Sequence, residues 1–252
     1  MRRYLLLSLL LPQLCLATTT LTLCEDSESI YPWTNTNRPG LNRLLLESVA
    51  KELNLELKII NQPWLRCQAD LKNNKIDGLY PISFSTERDQ LFAYPKRDGR
   101  LEITQKLMDD GYSLYRRKGD QSVQWDGKKI TINSTLPIGI QRGYSVGANL
   151  KAMGMPIDEG AYTINANLQK LMSQRVAATA MRTGAADYAI ASQLPFARSI
   201  EKLNPPLEFK PYFLALSKQF VKTKPELAKK IWQTIAVQRE SKMYQSIEEN
   251  YR

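Results

Sequence analysis

The sequence predicts an α/β fold of two lobes, each a mainly parallel sheet flanked by helices, joined by two extended hinge segments. Three observations carry this. Strand-like and helix-like stretches alternate β-α-β-α-β between residues 21 and 82; a second alternation starts near residue 112; and after residue 207 the chain ends with one more strand and further helix. Such alternation is the pattern of a parallel sheet with right-handed crossovers. The chain has 252 residues, 43% apolar and 24% charged, which is material for two cores.

Taken in order, Leu21-Thr22-Leu23-Cys24 is a short β-leaning run, and a loop rich in Pro and Asn follows it to Gly40. Leu44, Leu45, Val49, Ala50 and Leu53 repeat with helical period over 41–53, whereas Leu55 to Ile60 alternates as a strand does. Trp64 to Asn73 reads as helix and Ile76 to Ile82 as strand. In the second unit, Tyr112–Tyr115, Ile138–Ile140 and Ala178–Met181 read as strands. Val146–Met153, Ala166–Gln174 and Gly184–Ala191 read as helices. Phe209–Leu216 is the returning strand, and Pro225 suits the first turn of a helix reaching Arg239. The expected division is a leader at 1–17, lobe 1 at 18–105 plus 207–252, and lobe 2 at 106–206, each lobe having its own sheet. Ligands of such sheets bind outside the carboxyl ends of the strands.

Met1-Arg2-Arg3, the apolar stretch Tyr4 to Leu11 and the small residues Cys15 and Ala17 have the three-part form of a secretory signal peptide. Cleavage is expected near Ala17, with a periplasmic product. Export leaves Cys24 and Cys67, an even pair in an oxidising compartment, which favours a disulfide over two separate buried thiols. Acidic and basic side chains nearly balance before residue 111, and basic ones outnumber acidic about two to one after it. That field draws anionic ligands. No nucleic-acid motif accompanies it, so no nucleic-acid partner is expected. The absence of histidine removes Ser-His-Asp and Cys-His chemistry and the commonest zinc ligand. No catalytic group, metal or cofactor is assigned, and a monomer is expected.

Several segments, in order, resemble the periplasmic solute-binding proteins of family 3, which serve polar amino-acid ABC transporters. They are Leu21 to Asp26, Tyr31-Pro32-Trp33, Gly40-Leu41 with its helix, Lys75-Ile76-Asp77-Gly78, Ser85-Thr86-Glu87-Arg88, Phe92-Ala93-Tyr94-Pro95, Gly127 to Ile130, and Gln141 to Ser145. Trp64-Leu65-Arg66-Cys67 is similar to a branch of the same family. The resemblance implies the type II periplasmic-binding-protein fold, a small polar or anionic ligand held between the lobes, and an inner-membrane ABC permease as partner. It also makes Cys24 and Cys67 neighbours in the fold.

Within that resemblance Arg88 stands at a carboxylate-clamping arginine, whose planar fork holds a carboxylate by two bonds; a surface ion pair is the alternative role. Ser83 and Ser85 offer hydroxyls nearby. Arg142, Gly143, Tyr144 and Ser145 open a helix whose free N–H groups attract anions, although Ser145 also suits a plain cap. Tyr31, Trp33 and Trp64 are candidates for packing on the ligand, and Asp26 for an amine. By the resemblance the family's ammonium-binding aspartate falls at Arg182 or Thr183, with Asp187 as the alternative a few residues on; at Arg182 the reversed charge favours an acidic group. Arg88, Arg142 and Arg182 are therefore expected around one cleft. The alternatives to a transporter-linked binder are a stand-alone ligand sensor and an enzyme similar to cyclohexadienyl dehydratases. For the latter, only Glu25, Asp26, Glu87 or a tyrosine remains as proton donor.

Overall fold

The computed structural model describes residues 18–35 and 38–251, so the expected leader at 1–17 lies outside the described residues. Its first half contains β1 (Thr19–Asp26), α1 (Leu41–Glu52), β2 (Leu55–Gln62), α2 (Trp64–Lys72), β3 (Gly78–Ser83), α3 (Thr86–Leu91), and the small hairpin β4 (Lys96–Arg97) and β5 (Arg100–Leu101). Strand β1 lies between β2 and β3 and is parallel to both. Helix α1 buries Leu41, Leu45, Leu46 and Val49, the stripe its period calls for. It starts after Gly40, where a Cβ would meet the Trp33 carbonyl oxygen at 2.6 Å, so the preceding loop closes only over glycine.

Strand β6 (Met108–Arg117) leads into the second half. There follow the hairpin β7 (Val123–Trp125) and β8 (Ile130–Ile132), β9 (Ile138–Gln141), α4 (Val146–Ala152), β10 (Ile157–Ala161), α5 (Ile164–Met172), β11 (Ala178–Arg182), α6 (Thr183–Ala191), α7 (Leu194–Ser199) and β12 (Ile200–Lys202). Strand β9 lies between β10 and β11, parallel to both. The chain returns through β13 (Glu208–Leu216), which pairs antiparallel with β3. Helices α8 (Lys218–Thr223), α9 (Pro225–Arg239) and α10 (Lys242–Tyr251) follow, α9 and α10 packing on α1. No helix among the described residues is long and apolar enough to cross a membrane.

The two lobes do not have separate sheets, as the sequence had suggested. One mixed nine-stranded sheet runs β10-β9-β11-β6-β13-β3-β1-β2, with β12 added to β6. The reason lies in the connecting segments. Residues 108–112 of β6 pair with 208–212 of β13, after which β6 continues onto β11 and β13 onto β3. The chain does cross twice, but the two crossings are a hydrogen-bonded ribbon. Apolar periodicity marks only the inner parts of these strands. Strand β10 has no strand composition at all; it is an edge recruited by pairing with β9. Helix α5 starts at Ile164, two residues before the periodic stretch, because the Thr163 hydroxyl accepts from the Ala166 N–H at 3.1 Å.

Cys24 of β1 and Cys67 of α2 form a disulfide with Cα atoms 5.7 Å apart, both fully buried. Beside it Glu25 is 1% exposed. The Tyr80 hydroxyl donates to its Oε2 at 3.0 Å, and Oε1 has no partner. Burial raises the Glu25 carboxyl above its ordinary range, outweighing the hydrogen bonds from Tyr80 and Asn61. A carboxyl raised in the folded state contributes stability below its unfolded pKa of about 4.3 that is lost as pH rises through the folded value. Glu25→Gln, uncharged throughout, should therefore flatten the decline in stability as pH rises above the unfolded carboxyl pKa of about 4.3, measured by urea melts. Identical pH slopes for wild type and variant would show that Glu25 is ionised in the fold.

Candidate functional site

A cleft lies where β1, α2, β3 and α3 of the first half face the β9–α4 turn and the end of β11 in the second, with β6 and β13 as its floor. It is lined by Asp26, Ile30, Trp64, Pro81, Ser83, Arg88, Tyr112, Tyr144, Ser145, Arg182 and Tyr212.

Arg88 enters from α3, whose cap is Ser85: the Ser85 hydroxyl accepts from the Arg88 N–H at 3.2 Å. Its Nη1 donates to the Ser83 carbonyl (3.1 Å) and hydroxyl (2.9 Å), and Nη2 donates across to the Gly143 carbonyl at 3.3 Å. Among the described residues no carboxylate pairs with Arg88. The Trp64 indole N–H also reaches the Gly143 carbonyl at 3.3 Å, and the Ser83 hydroxyl donates to that of Ser145 at 3.3 Å. Gly143 has φ +77°, a left-handed backbone conformation that calls for glycine.

Asp26, at the end of β1, is 6% exposed. Its Oδ2 accepts from the Tyr144 hydroxyl at 2.8 Å and its Oδ1 from the Glu28 N–H at 3.2 Å, with the Trp64 backbone N–H as a further donor. Burial raises its carboxyl above the ordinary range against these bonds. The Tyr144–Asp26 bond therefore ties one half to the other.

Arg182 is 2% exposed and its guanidinium stacks 4.0 Å over the Tyr212 ring. Its Nε donates to Asp110 Oδ2 at 2.6 Å. Nη2 lies 2.5 Å from the same oxygen but is not aligned with it and has no hydrogen-bond acceptor. Burial alone would depress the guanidinium pKa; the Asp110 carboxylate more than offsets that and raises it.

Seven of the expected residues thus meet at the cavity: Asp26, Trp64, Ser83, Arg88, Tyr144, Ser145 and Arg182. The others stand apart. Arg142 turns outward, donating to the Glu159 carbonyl at 3.1 Å and the Tyr162 hydroxyl at 2.9 Å, so the expected ring of three arginines contains two. Helix α4 has only seven residues and Ser145 makes no cap bond. Tyr31 stacks on Tyr188 with ring centroids 4.5 Å apart and donates to the Tyr251 carbonyl, while Trp33 packs into the core. Ser85 is the α3 cap, and Gly143 contributes its carbonyl beside the cavity. Tyr112, Tyr212 and Asp110 were not expected there. All three lie on the crossing strands, and their one sequence signal is an acid and tyrosines within otherwise apolar runs.

The fold and this interlobe cavity define a two-lobed binding protein. The family description of bacterial extracellular solute-binding proteins, family 3, matches residues 27–252, and the chain belongs to that family. Similar solved structures include the GluR0 ligand-binding core of Nostoc punctiforme in complex with (L)-glutamate, with 19% identity over 92% of this chain and 98% of that one, TM-score 0.69. Holo ArgBP from T. maritima has 17% identity over 92% and 96%, TM-score 0.68. The ancestral amino-acid-binding protein AncCDT-1, a precursor of cyclohexadienyl dehydratase, has 17% identity over 92% and 96%, TM-score 0.69. No curated protein matches the sequence.

Proposed function

We propose that this chain is an exported solute-binding protein that captures a small, carboxylate-bearing ligand between its lobes for delivery to an inner-membrane ABC permease. In this reading residues 1–17 direct export to the periplasm and are cleaved near Ala17; 18–105 with 207–252 form lobe 1 and 106–206 form lobe 2. The protein acts as a monomer. The observation that carries the reading is a pair of arginines from opposite lobes, Arg88 and Arg182, facing one enclosed cavity, Arg88 with no carboxylate partner among the described residues. An anion placed between them neutralises charge that is costly to keep in a dry cleft. It thereby favours closure, and the enclosed bonds gain strength from the low dielectric.

The test is a thermal-shift screen of the processed protein against carboxylic acids, amines and neutral polyols. An acid should stabilise by mass action, about 2.7 kcal/mol at one hundred times its dissociation constant. Stabilisation by an amine or a polyol and by no acid would overturn the reading. For the acid found, Arg88→Lys should weaken binding at least tenfold in a calorimetric titration. The charge stays, but lysine cannot hold a carboxylate by a planar fork. Unchanged affinity would remove Arg88 from the site.

Asp26, buried and with a raised carboxyl, favours a second reading as a proton donor to a bound substrate. Release of phenylpyruvate on incubation with prephenate tests that reading, and Asp26→Asn should abolish any such turnover.

A further inference from the structure

We infer that the ligand is a 2-oxo or 2-hydroxy carboxylic acid and not an amino acid, because Arg182 Nη2 and the Tyr212 hydroxyl line the cavity without hydrogen bonds while its carboxylate Asp26 and the Ser83 and Gly143 carbonyls already accept them. This rests on the proposed reading of the cleft as a carboxylate site.

A bound α-ammonium group brings three N–H donors and a positive charge, so a site that takes one must present free acceptors. Here Asp26, the one carboxylate among the lining residues, accepts from the Tyr144 hydroxyl and the Glu28 N–H. The Ser83 carbonyl accepts from Arg88 and from the Tyr94 hydroxyl at 3.0 Å. The Gly143 carbonyl accepts from Trp64 and Arg88. Asp110, behind the wall, is shared between Arg182 and the Gly111 N–H at 2.8 Å.

The donor side is different. Arg182 Nη2 and the Tyr212 hydroxyl are both buried, both belong to residues lining the cavity, and neither has a hydrogen-bond partner, Nη2 having only its ionic contact with Asp110. Tyr212 is 3% exposed and Arg182 2%, so bulk water does not satisfy them. Native proteins pair buried polar groups, and two orphan donors at one cavity call for an oxygen-rich guest. Electrostatics agrees. An ammonium placed here meets the like charge of Arg88, which has no carboxylate partner among the described residues, whereas Arg182 is already offset by Asp110. A keto or hydroxyl oxygen at the same carbon accepts from these donors and adds no charge.

Matched pairs that differ at one position decide the matter: pyruvate and L-alanine, L-malate and L-aspartate, 2-oxoglutarate and L-glutamate, each titrated calorimetrically into the processed protein. In every pair that binds, the oxo or hydroxy member should bind at least tenfold tighter. Equal or tighter binding of the amino member overturns the inference and leaves the carboxylate reading standing. If no acid of either kind binds at millimolar concentration, inference and reading fall together.

Tyr212→Phe gives a second measurement that does not depend on the Arg182–Asp110 pair. Deleting the orphan hydroxyl leaves no cavity of note, so the melting temperature without ligand should be unchanged or higher. Affinity for the preferred oxo or hydroxy acid should fall about tenfold, the loss of one hydrogen bond to a charged or strongly polar acceptor. A variant that binds as well as wild type shows that the hydroxyl does not meet the ligand and overturns the donor argument.

Discussion

Removing the Asp110 carboxylate should destabilise the protein by about 3–5 kcal/mol, the range for stranding one partner of a buried ion pair. Asp110 is 6% exposed and Arg182 2% exposed. In Asp110→Ala the guanidinium keeps the face of Tyr212 and loses its counter-charge, in a place water does not reach. Replacing both partners, as in Asp110→Leu with Arg182→Met, should recover most of the loss, since a buried pair exchanged for apolar groups of similar volume is often close to neutral. Urea melts at neutral pH give the answer through the midpoint, provided the slope stays constant. A single variant within about 1 kcal/mol of wild type would mean that water enters the cavity and solvates Arg182.

Reduction of the Cys24–Cys67 bond should cost a similar amount, about 4 kcal/mol for a loop closed over 43 positions in the chain-entropy account. For a chain of this length that is a drop on the order of 10 °C in melting temperature. The position of the bond adds a second consequence. Asp26 lies two residues beyond Cys24 on β1, and Trp64 opens α2 three residues before Cys67, so the disulfide fixes two walls of the cavity to each other. Reductant should therefore lower the melting temperature of the wild type and leave that of a Cys24→Ser, Cys67→Ser variant unmoved. The variant should also bind ligand more weakly than its loss of stability alone explains. Equal melting of wild type with and without reductant, with both thiols freely alkylated, would show that the bond does not form in solution.

How far the site was legible follows from the kind of signal each residue gives. Arg88, Ser83, Tyr144 and Ser145 lie in short ordered segments beside helix starts, where turn chemistry and the family pattern are local in sequence. Arg142 has the same local credentials and yet points away, because an exposed arginine finds its partner through space, here the Tyr162 ring 5.1 Å from its guanidinium carbon. Tyr31 and Trp33 share that fate: aromatic residues in a loop are packed by whichever neighbour the fold brings, and for Tyr31 that is Tyr188 of the other lobe.

What the sequence determined by itself was the alternation of strand and helix, because the apolar periods of 2 and 3.6 residues are printed in it and burial of one face enforces them. The tertiary structure decided the rest. The crossing strands β6 and β13 join both lobes into one sheet because residues about one hundred positions apart pair along their whole hinge length, and no local period reports such pairing. The same strands bring Asp110 under Arg182 and Tyr212 over it. Only in three dimensions does the cavity prove to hold two arginines, one of them neutralised, and an excess of donors, since hydrogen-bond satisfaction is a property of contacts across the fold and not of residue order.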